Sequence, residues 1–505
     1  MVPYQLLTER AGERPEDVAF IDADRGKSAT FREVMERSAA LAAALGRLGV
    51  GKGDAVACLL PNAMELVELY LATGALGAVF QPIDTRFRGN ELKNCLENTH
   101  VKALFAWAPF LSQELEAFVP PDVERFAVGG SFPDWREYES MLQGGKSFTP
   151  ISESLESEDA VYLYTSGSTA KIKCVPMTRR QLDFFPRDLI SIWNINSADR
   201  GLSLLPMSHI SGPIVINLVL ATGGSYVLTN RFSPDNIIKC ARRYRVTWTH
   251  SVPSIGRIIA ASAREAPEAF ESFRLIAMMG TVVPPILFES LCSAVPSASI
   301  VQGYGLTETS PLLTLQTPGW PWEKIVSIGK ALEGVEIRLI DQEGRVAGPN
   351  EPGEICVRGP RVFRGYVGNP ELSARVIRNG WFHTGDVAFR DEEGCYYHLG
   401  RLDDMVIIGG LNVYPTEVEN ELLRHPDVAE CLVYGKNDPS RGKILAADIT
   451  PRPGKTIDPA RLRRFLSQRL ASYKIPRRIR QVSSLNYSPV GKPIRKPAPS
   501  PSLSQ

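Results

Sequence analysis

Short, uninterrupted apolar runs alternate with helical stretches along most of this chain, and that alternation restricts it to folds built on parallel sheets. Thr30-Phe31-Arg32-Glu33 reads as a capping box, and Val34, Leu41, Leu45 and Leu48 keep to one helical face before Gly51. A buried-strand run (Ala55 to Leu60), a helix (Ala63 to Leu76) and further apolar runs at Val79 to Ile83 and Ala103 to Trp107 follow. The same rhythm returns at Leu202 to Leu205, Val246 to Thr249, Leu275 to Met279 and Ile300 to Val301, with helical stretches such as Pro285 to Val295 between them. Two related, doubly wound α/β halves are therefore expected. From about Val335 the runs shorten (VEIRLID, GEICVRG, GCYYHLG), which predicts a compact β-rich subdomain. Beyond Arg401 the pattern predicts a small α+β unit. The expected organisation is a large N-terminal domain over 1–400 and a small C-terminal domain over 404–505, with 493–505 a disordered tail rich in Pro and Ser.

At 505 residues the chain exceeds what a single core usually supports. Hydrophobic content of 44% and charged content of 22% are ordinary for a globular protein. A net charge of +1 argues against a dedicated binder of nucleic acid or of membrane surfaces. The eight cysteines include no C-x-x-C pair, so neither a zinc site nor a disulfide framework is expected, and a reducing cytoplasm fits best. MVPYQLLTERAGERPED is too charged for a secretory signal, and neither a Ser-Lys-Leu ending nor a prenylation box is present. The most apolar stretch, Pro213 to Ala221, is far short of the roughly 20 residues that span a bilayer, so no membrane insertion is expected.

Within this frame lies YTSGSTAKIKCV, Tyr164 to Val175, where an apolar strand (Ala160 to Tyr164) runs straight into small hydroxyl residues, a glycine and lysines. Such a loop can close backbone N–H groups and hydroxyls on phosphoryl oxygens, with a lysine as compact positive charge. The P-loop of kinases and ATPases needs Gly before its Lys and Ser or Thr after it; Ile172 and Cys174 fill those places, so that reading fails.

Further motifs follow in order: LPMSHISG around His209, QGYGLTET (Gln302 to Thr309), HTGDVA (His383 to Ala388), GRLDDMVIIGGLNVYPTEVE (Gly400 to Glu419) and SPVGK ending at Lys492. With them, nearly the whole chain resembles the superfamily of adenylate-forming enzymes, on its acyl- and aryl-CoA synthetase (acid:CoA ligase) branch. The resemblance implies an enzyme that joins a carboxylic acid to AMP from ATP with Mg²⁺, then transfers the acyl group to coenzyme A. It places Thr165, Ser166, Gly167, Ser168, Thr169 and Lys173 at the phosphates, and Gly280, Thr281, Gln302, Gly303, Tyr304 and Gly305 around the nucleotide. Thr307 is placed at the phosphates and Glu308 on Mg²⁺, Asp386 and Arg401 at the ribose, and Gly409 and Gly410 beside the arriving pantetheine. His209 is placed beside the acid's carboxylate.

Elementary chemistry agrees with these roles. Tyr304 offers an aromatic face, its flanking glycines permit close approach, and Asp386 can accept two hydrogen bonds from a diol. Like charges about 4 Å apart repel by roughly 4 kcal/mol at an effective dielectric of 20, and the resemblance places Lys492 between carboxylate and phosphate, where it would offset that. HISGPIVINLVL contains no acidic residue, which disfavours an amino acid because its ammonium would be desolvated without a partner. The resemblance also implies a hinge at 401–403 and a mobile small domain, whose rotation about Asp403 would exchange Lys492 for the glycine-rich strand end between the two half-reactions.

The chain departs from the family pattern at Ala170, Ile172 and Cys174, where Gly, Pro and Gly are usual, and at Asn486 and Tyr487 before Lys492. These departures suggest an adenylation step that is weak or lost, leaving thioesterification of an acyl-adenylate supplied by a separate adenylating enzyme. Two alternatives are a stand-alone adenylation enzyme that loads a carrier protein, and a non-catalytic protein that binds nucleotide or acyl ligand.

Overall fold

The computed structural model describes residues 3–144, 148–151, 156–166, 172–281, 283–408, 410–438, 442–485 and Arg495. Gly167, Ser168, Thr169, Ala170, Gly409, Asn486, Tyr487 and Lys492 lie outside the described residues, as does the expected tail apart from Arg495. Among the described residues the chain is an α/β protein with a large N-terminal domain and a small C-terminal one, as the alternation of runs implies.

Two sheets make the bulk of the large domain. In the seven-stranded sheet the order is Arg136–Glu137, Glu124–Val128, Val101–Trp107, Ala55–Leu59, Val79–Pro82, Asp159–Ser166, Ile172–Thr178, parallel except for the last pair. The nine-stranded sheet has a parallel centre (Ser299–Tyr304, Leu275–Met278, Trp248–Ser251, Arg200–Ser203, Ser225–Leu228, Val18–Asp22) with antiparallel strands at its edges. Helices cover these sheets and share one core cluster between them, in which Phe80, Phe105, Phe185 and Trp248 are buried. The most apolar stretch forms the helix Ser211–Thr222, buried in that core, where Asn217 accepts a hydrogen bond from the Tyr70 hydroxyl at 2.8 Å. No helix among the described residues is long and apolar enough to cross a membrane.

The capping box at Thr30 forms as expected. The Thr30 hydroxyl accepts from the Glu33 N–H, and the Glu33 carboxylate accepts from the Thr30 N–H, starting the helix Phe31–Arg47. Strand limits are less well anticipated. The strand Trp248–Ser251 begins after the expected Val246, because Val246 still donates its N–H to Ala241 at the end of the preceding helix. The hairpin Val18–Asp22/Lys27–Thr30 has no counterpart in the sequence reading; it joins the second sheet beside Ser225–Leu228.

The β-rich part is a five-stranded sheet running from Glu336–Ile340 to Tyr396–Arg401. Past Arg401, a two-stranded hairpin (Val406–Ile408, Leu411–Val413), a three-stranded sheet and the helices Pro415–Leu423 and Pro459–Ser467 enclose a separate core around Val418, Leu422, Val433 and Leu462. All eight cysteines are free thiols.

Candidate active site

Parallel strands point their carboxyl ends one way, and ligands of such sheets sit there. Here the strand Ser299–Tyr304 delivers Gln302, Gly303 and Tyr304 to a cleft that Gly280, Thr281, Gly305, Asp386 and Arg401 also line. The opposite wall comes from the small domain, through Thr416 and Glu419 on the helix Pro415–Leu423 and through Arg495. The two domains also meet in an ion pair at 3.0 Å between Arg257 and Glu430.

Asp386 is the electrostatic centre of this cleft. It is 5% exposed, accepts a hydrogen bond from the Tyr304 hydroxyl at 2.7 Å, and has His398 Nε2 at 3.5 Å and an Arg401 guanidinium nitrogen at 3.7 Å. Burial alone would raise its pKa, but His398, Arg401 and Tyr304 more than offset that and hold the carboxyl below its ordinary range. It is therefore a buried, ionised acceptor, suited to a pair of hydroxyls. Burial and Asp386 together push the Tyr304 phenol well above its ordinary value, so it stays protonated and donating. Asp386 and Arg401 are direct cross-strand partners. His398, on the strand that ends at Arg401, was not among the residues singled out from sequence; nothing but its register opposite the HTGD strand could have pointed to it.

The loop after Tyr304 folds tightly. A side chain at Gly303 would press on Leu315 at 2.7 Å, and one at Gly305 would meet the Pro311 carbonyl at 1.9 Å. The sequence reading assigned these glycines to close approach of a ligand. The structure gives them a second reason, since the side that a side chain would occupy is filled by the protein while the backbone lines the cleft. Gln302 is likewise partly structural: its amide donates to Ile325 and Ser327 carbonyls at 3.0 and 2.7 Å.

Thr307 and Glu308 form the short 3-10 turn that follows. Glu308 is buried and accepts a hydrogen bond from the Tyr366 hydroxyl at 2.9 Å. Among the described residues no basic side chain forms an ion pair with it. A buried carboxylate without a cationic partner is costly, and a divalent cation is the natural complement, so the residues present fit Mg²⁺. Lys173 lies with its Nζ 5.3 Å above the Tyr366 ring, which puts the phosphate-loop hairpin next to Glu308. In that hairpin Thr165 pairs with Lys173, Ser166 with Ile172 and Tyr164 with Cys174, whose buried thiol is pushed up to about 12.

His209 stands apart from these two groups. Its Nε2 lies 3.3 Å from the buried Asp84 carboxylate, an ion-pair distance rather than a well-aligned hydrogen bond. Arg86 clamps the same carboxylate through its side chain and its backbone N–H. Burial would raise Asp84, but the hydrogen bonds from Arg86 and the proximity of His209 hold it well below the ordinary carboxylate range. Asp84 follows the strand Val79–Pro82, so it brings the first sheet into contact with a residue carried by the second.

Gly410 was expected to keep a tunnel clear of side chains. In the structure a side chain there would meet nothing within 4 Å, and the φ of +83° in the turn joining Val406–Ile408 to Leu411–Val413 is itself a backbone conformation that favours glycine. Arg495, close in sequence to Lys492, is held by the Asp404 carboxylate at 3.1 Å, the Val433 carbonyl at 2.8 Å and the Glu419 carboxylate. It was not recognised from sequence.

The chain matches the family model of AMP-binding enzymes over residues 7–367 and that of the AMP-binding enzyme C-terminal domain over 417–492. A feruloyl-CoA synthase of an Amycolatopsis species is 33% identical over 93% of this chain and 93% of its own. An indoleacetate–CoA ligase of Aromatoleum aromaticum is 32% identical over 97% of this chain and 96% of its own. Among solved structures, an anthranilate CoA ligase, AuaEII, in complex with anthranoyl-AMP superposes with a TM-score of 0.88 at 25% identity, covering 98% of this chain and 95% of that one. The chain belongs to the AMP-binding enzymes, the adenylate-forming superfamily, on its acid:CoA ligase branch.

Proposed function

We propose that this protein is an AMP-forming acid:CoA ligase for a carboxylic acid with an apolar, aryl body. The observation that carries this reading is the ionised Asp386 in a buried cluster with Tyr304, His398 and Arg401, facing a cleft walled by both domains. The named substrates of similar proteins, ferulate, indoleacetate and anthranilate, are aryl acids, which supports the substrate class.

In the first half-reaction a carboxylate oxygen of the acid bonds to the α-phosphorus of ATP, and the bond to pyrophosphate breaks. Asp386 and Arg401 hold the ribose, Thr165 and Lys173 approach the phosphates, and His209, held by Asp84, faces the carboxylate. Glu308 would hold Mg²⁺, whose charge offsets that of the phosphates. The motif assigns Lys492 to the same charge balance. In the second half-reaction the thiol sulfur of CoA bonds to the carbonyl carbon, the bond to AMP breaks, and the thiol proton passes to solvent. Gly410 lies in the turn that would line the thiol's approach.

The test supplies ATP, Mg²⁺, CoA and a panel of aryl acids, and follows AMP and thioester together. Equal yields of the two are expected. Absence of AMP with every acid, or acyl transfer to a carrier protein in preference to CoA, would overturn the reading. A second reading, thioesterification of a supplied acyl-adenylate, is favoured by Ile172 and Cys174, which occupy ordinary ladder positions where the family pattern has Pro and Gly. Acid-dependent pyrophosphate release at the rate of thioester formation dismisses it.

A further inference from the structure

Asp386 stands on a deformed strand, and the deformation aims it. Between the strands Gly353–Arg358 and Trp381–Arg390, Glu354 pairs with Val387 and Cys356 with His383, so Thr384, Gly385 and Asp386 all stand opposite Ile355. A bulge of this kind re-aims side chains and takes backbone groups out of the ladder. Gly385 adopts the left-handed φ of +73° that the bend uses.

Backbone groups taken out of a ladder need other partners. The Asp386 N–H donates to the Thr384 hydroxyl at 3.0 Å, and that hydroxyl donates to the Ile355 carbonyl at 2.8 Å. The Thr384 carbonyl accepts from the Arg401 guanidinium at 3.2 Å, and the Gly385 carbonyl from the Leu402 N–H at 2.7 Å. The Gly385 N–H, next to Asp386 in the chain, goes to a side chain of the neighbouring strand: it donates to Oε1 of Glu354 at 3.1 Å. The second oxygen of that carboxylate, Oε2, lies 2.8 Å from His383 Nδ1. Glu354 therefore bridges the residue before the bulge and the residue at its bend, and with its side chain only 14% exposed it has little room to swing away. Asp386 and Arg401 line the cleft while Glu354 does not, so an effect of Glu354 on a nucleotide must pass through the bulge.

We propose that Glu354 is a positioning residue for the nucleotide's sugar, holding Gly385 so that the Asp386 carboxylate meets the ribose hydroxyls. This rests on the ligase reading above, which puts a nucleotide in the cleft. The charge on Glu354 matters less than its acceptor, because the group it holds is a neutral N–H.

Titration calorimetry with AMP and with its dideoxy analogue, which lacks both ribose hydroxyls, reads the contact directly. The wild type should bind AMP about tenfold or more tightly than the analogue, as expected for hydrogen bonds to an ionised acceptor. Glu354→Ala should cut that ratio severalfold by weakening AMP, with the Kd of the analogue little changed. Glu354→Gln, which keeps an acceptor for the Gly385 N–H, should hold most of the ratio. In an Asp386→Ala background, where the preference for the diol is already gone, Glu354→Ala should change the ratio no further. If Glu354→Ala fails to fold, Glu354→Asp, whose carboxylate is set back by a methylene, carries the same expectation. A ratio that Glu354→Ala leaves unmoved, an equal loss with both nucleotides, or an effect on the ratio that persists beside Asp386→Ala overturns the inference, as does a wild type that binds the two alike. Tight AMP binding with no turnover of any acid would instead sink the ligase reading, so the two failures are distinguishable.

Discussion

Among the described residues Glu308 faces a phenol rather than a cation, and that sets what its loss should do. Glu308→Gln keeps the shape and the contact with Tyr366 but removes the charge that would hold Mg²⁺. Acid-dependent pyrophosphate release should fall about a hundredfold and need more Mg²⁺, while thioester formation from synthetic acyl-adenylate should be largely spared. Comparable loss in both half-reactions would contradict the assignment. Asp84 acts through another residue. Asp84→Asn removes the carboxylate beside His209, and kcat/KM for the acid should drop about tenfold with the KM for ATP unmoved. Asp84→Glu, which restores the charge, should recover part of that loss.

At the scale of elements, motif residues were legible because their neighbours in sequence are also their neighbours in space: Gln302 to Glu308 lie on one strand and the turn after it. Asp84 and His398 were not, because each meets its partner only through sheet assembly, Asp84 by the junction of two sheets and His398 by cross-strand register. The hairpin Val18–Asp22/Lys27–Thr30 escaped notice for the same reason, its place being set by Ser225–Leu228 far along the chain. The alternation of apolar runs carried the fold class because parallel strands buried on both faces need no polar code. Two substitutions check the element-level account. Gly305→Ala places a methyl 1.9 Å from the Pro311 carbonyl and should lower stability by about 3 kcal/mol, seen as an earlier urea midpoint. Thr30→Ala, which breaks the capping box, should cost about 1 kcal/mol with activity kept.

For the whole molecule, pH dependence follows from groups held away from their ordinary states. His250 is pushed down from 6.5 to about 4, so between those values the unfolded chain binds the proton and the folded one does not. Stability therefore falls as pH drops from about 6.5 to 4. The difference in unfolding free energy between wild type and His250→Leu should narrow or reverse in favour of the variant over that window, and a pH-independent difference would refute the neutral buried imidazole. Asp84 and Asp386 are lowered, so what they contribute is kept above the ordinary carboxylate range and lost as pH falls below it.

Arg401 is the last residue of its strand, directly opposite Asp386, and the turn at 402–404 that leads into the small domain begins where its ladder ends. That turn is pinned to the strand by the Leu402 N–H on the Gly385 carbonyl at 2.7 Å. On the ligase reading, the grip on the sugar and the fulcrum of the small domain are consecutive links of one chain. On that reading a bound nucleotide would brace the turn and its departure would slacken it, gearing turnover to re-orientation without any long-range messenger.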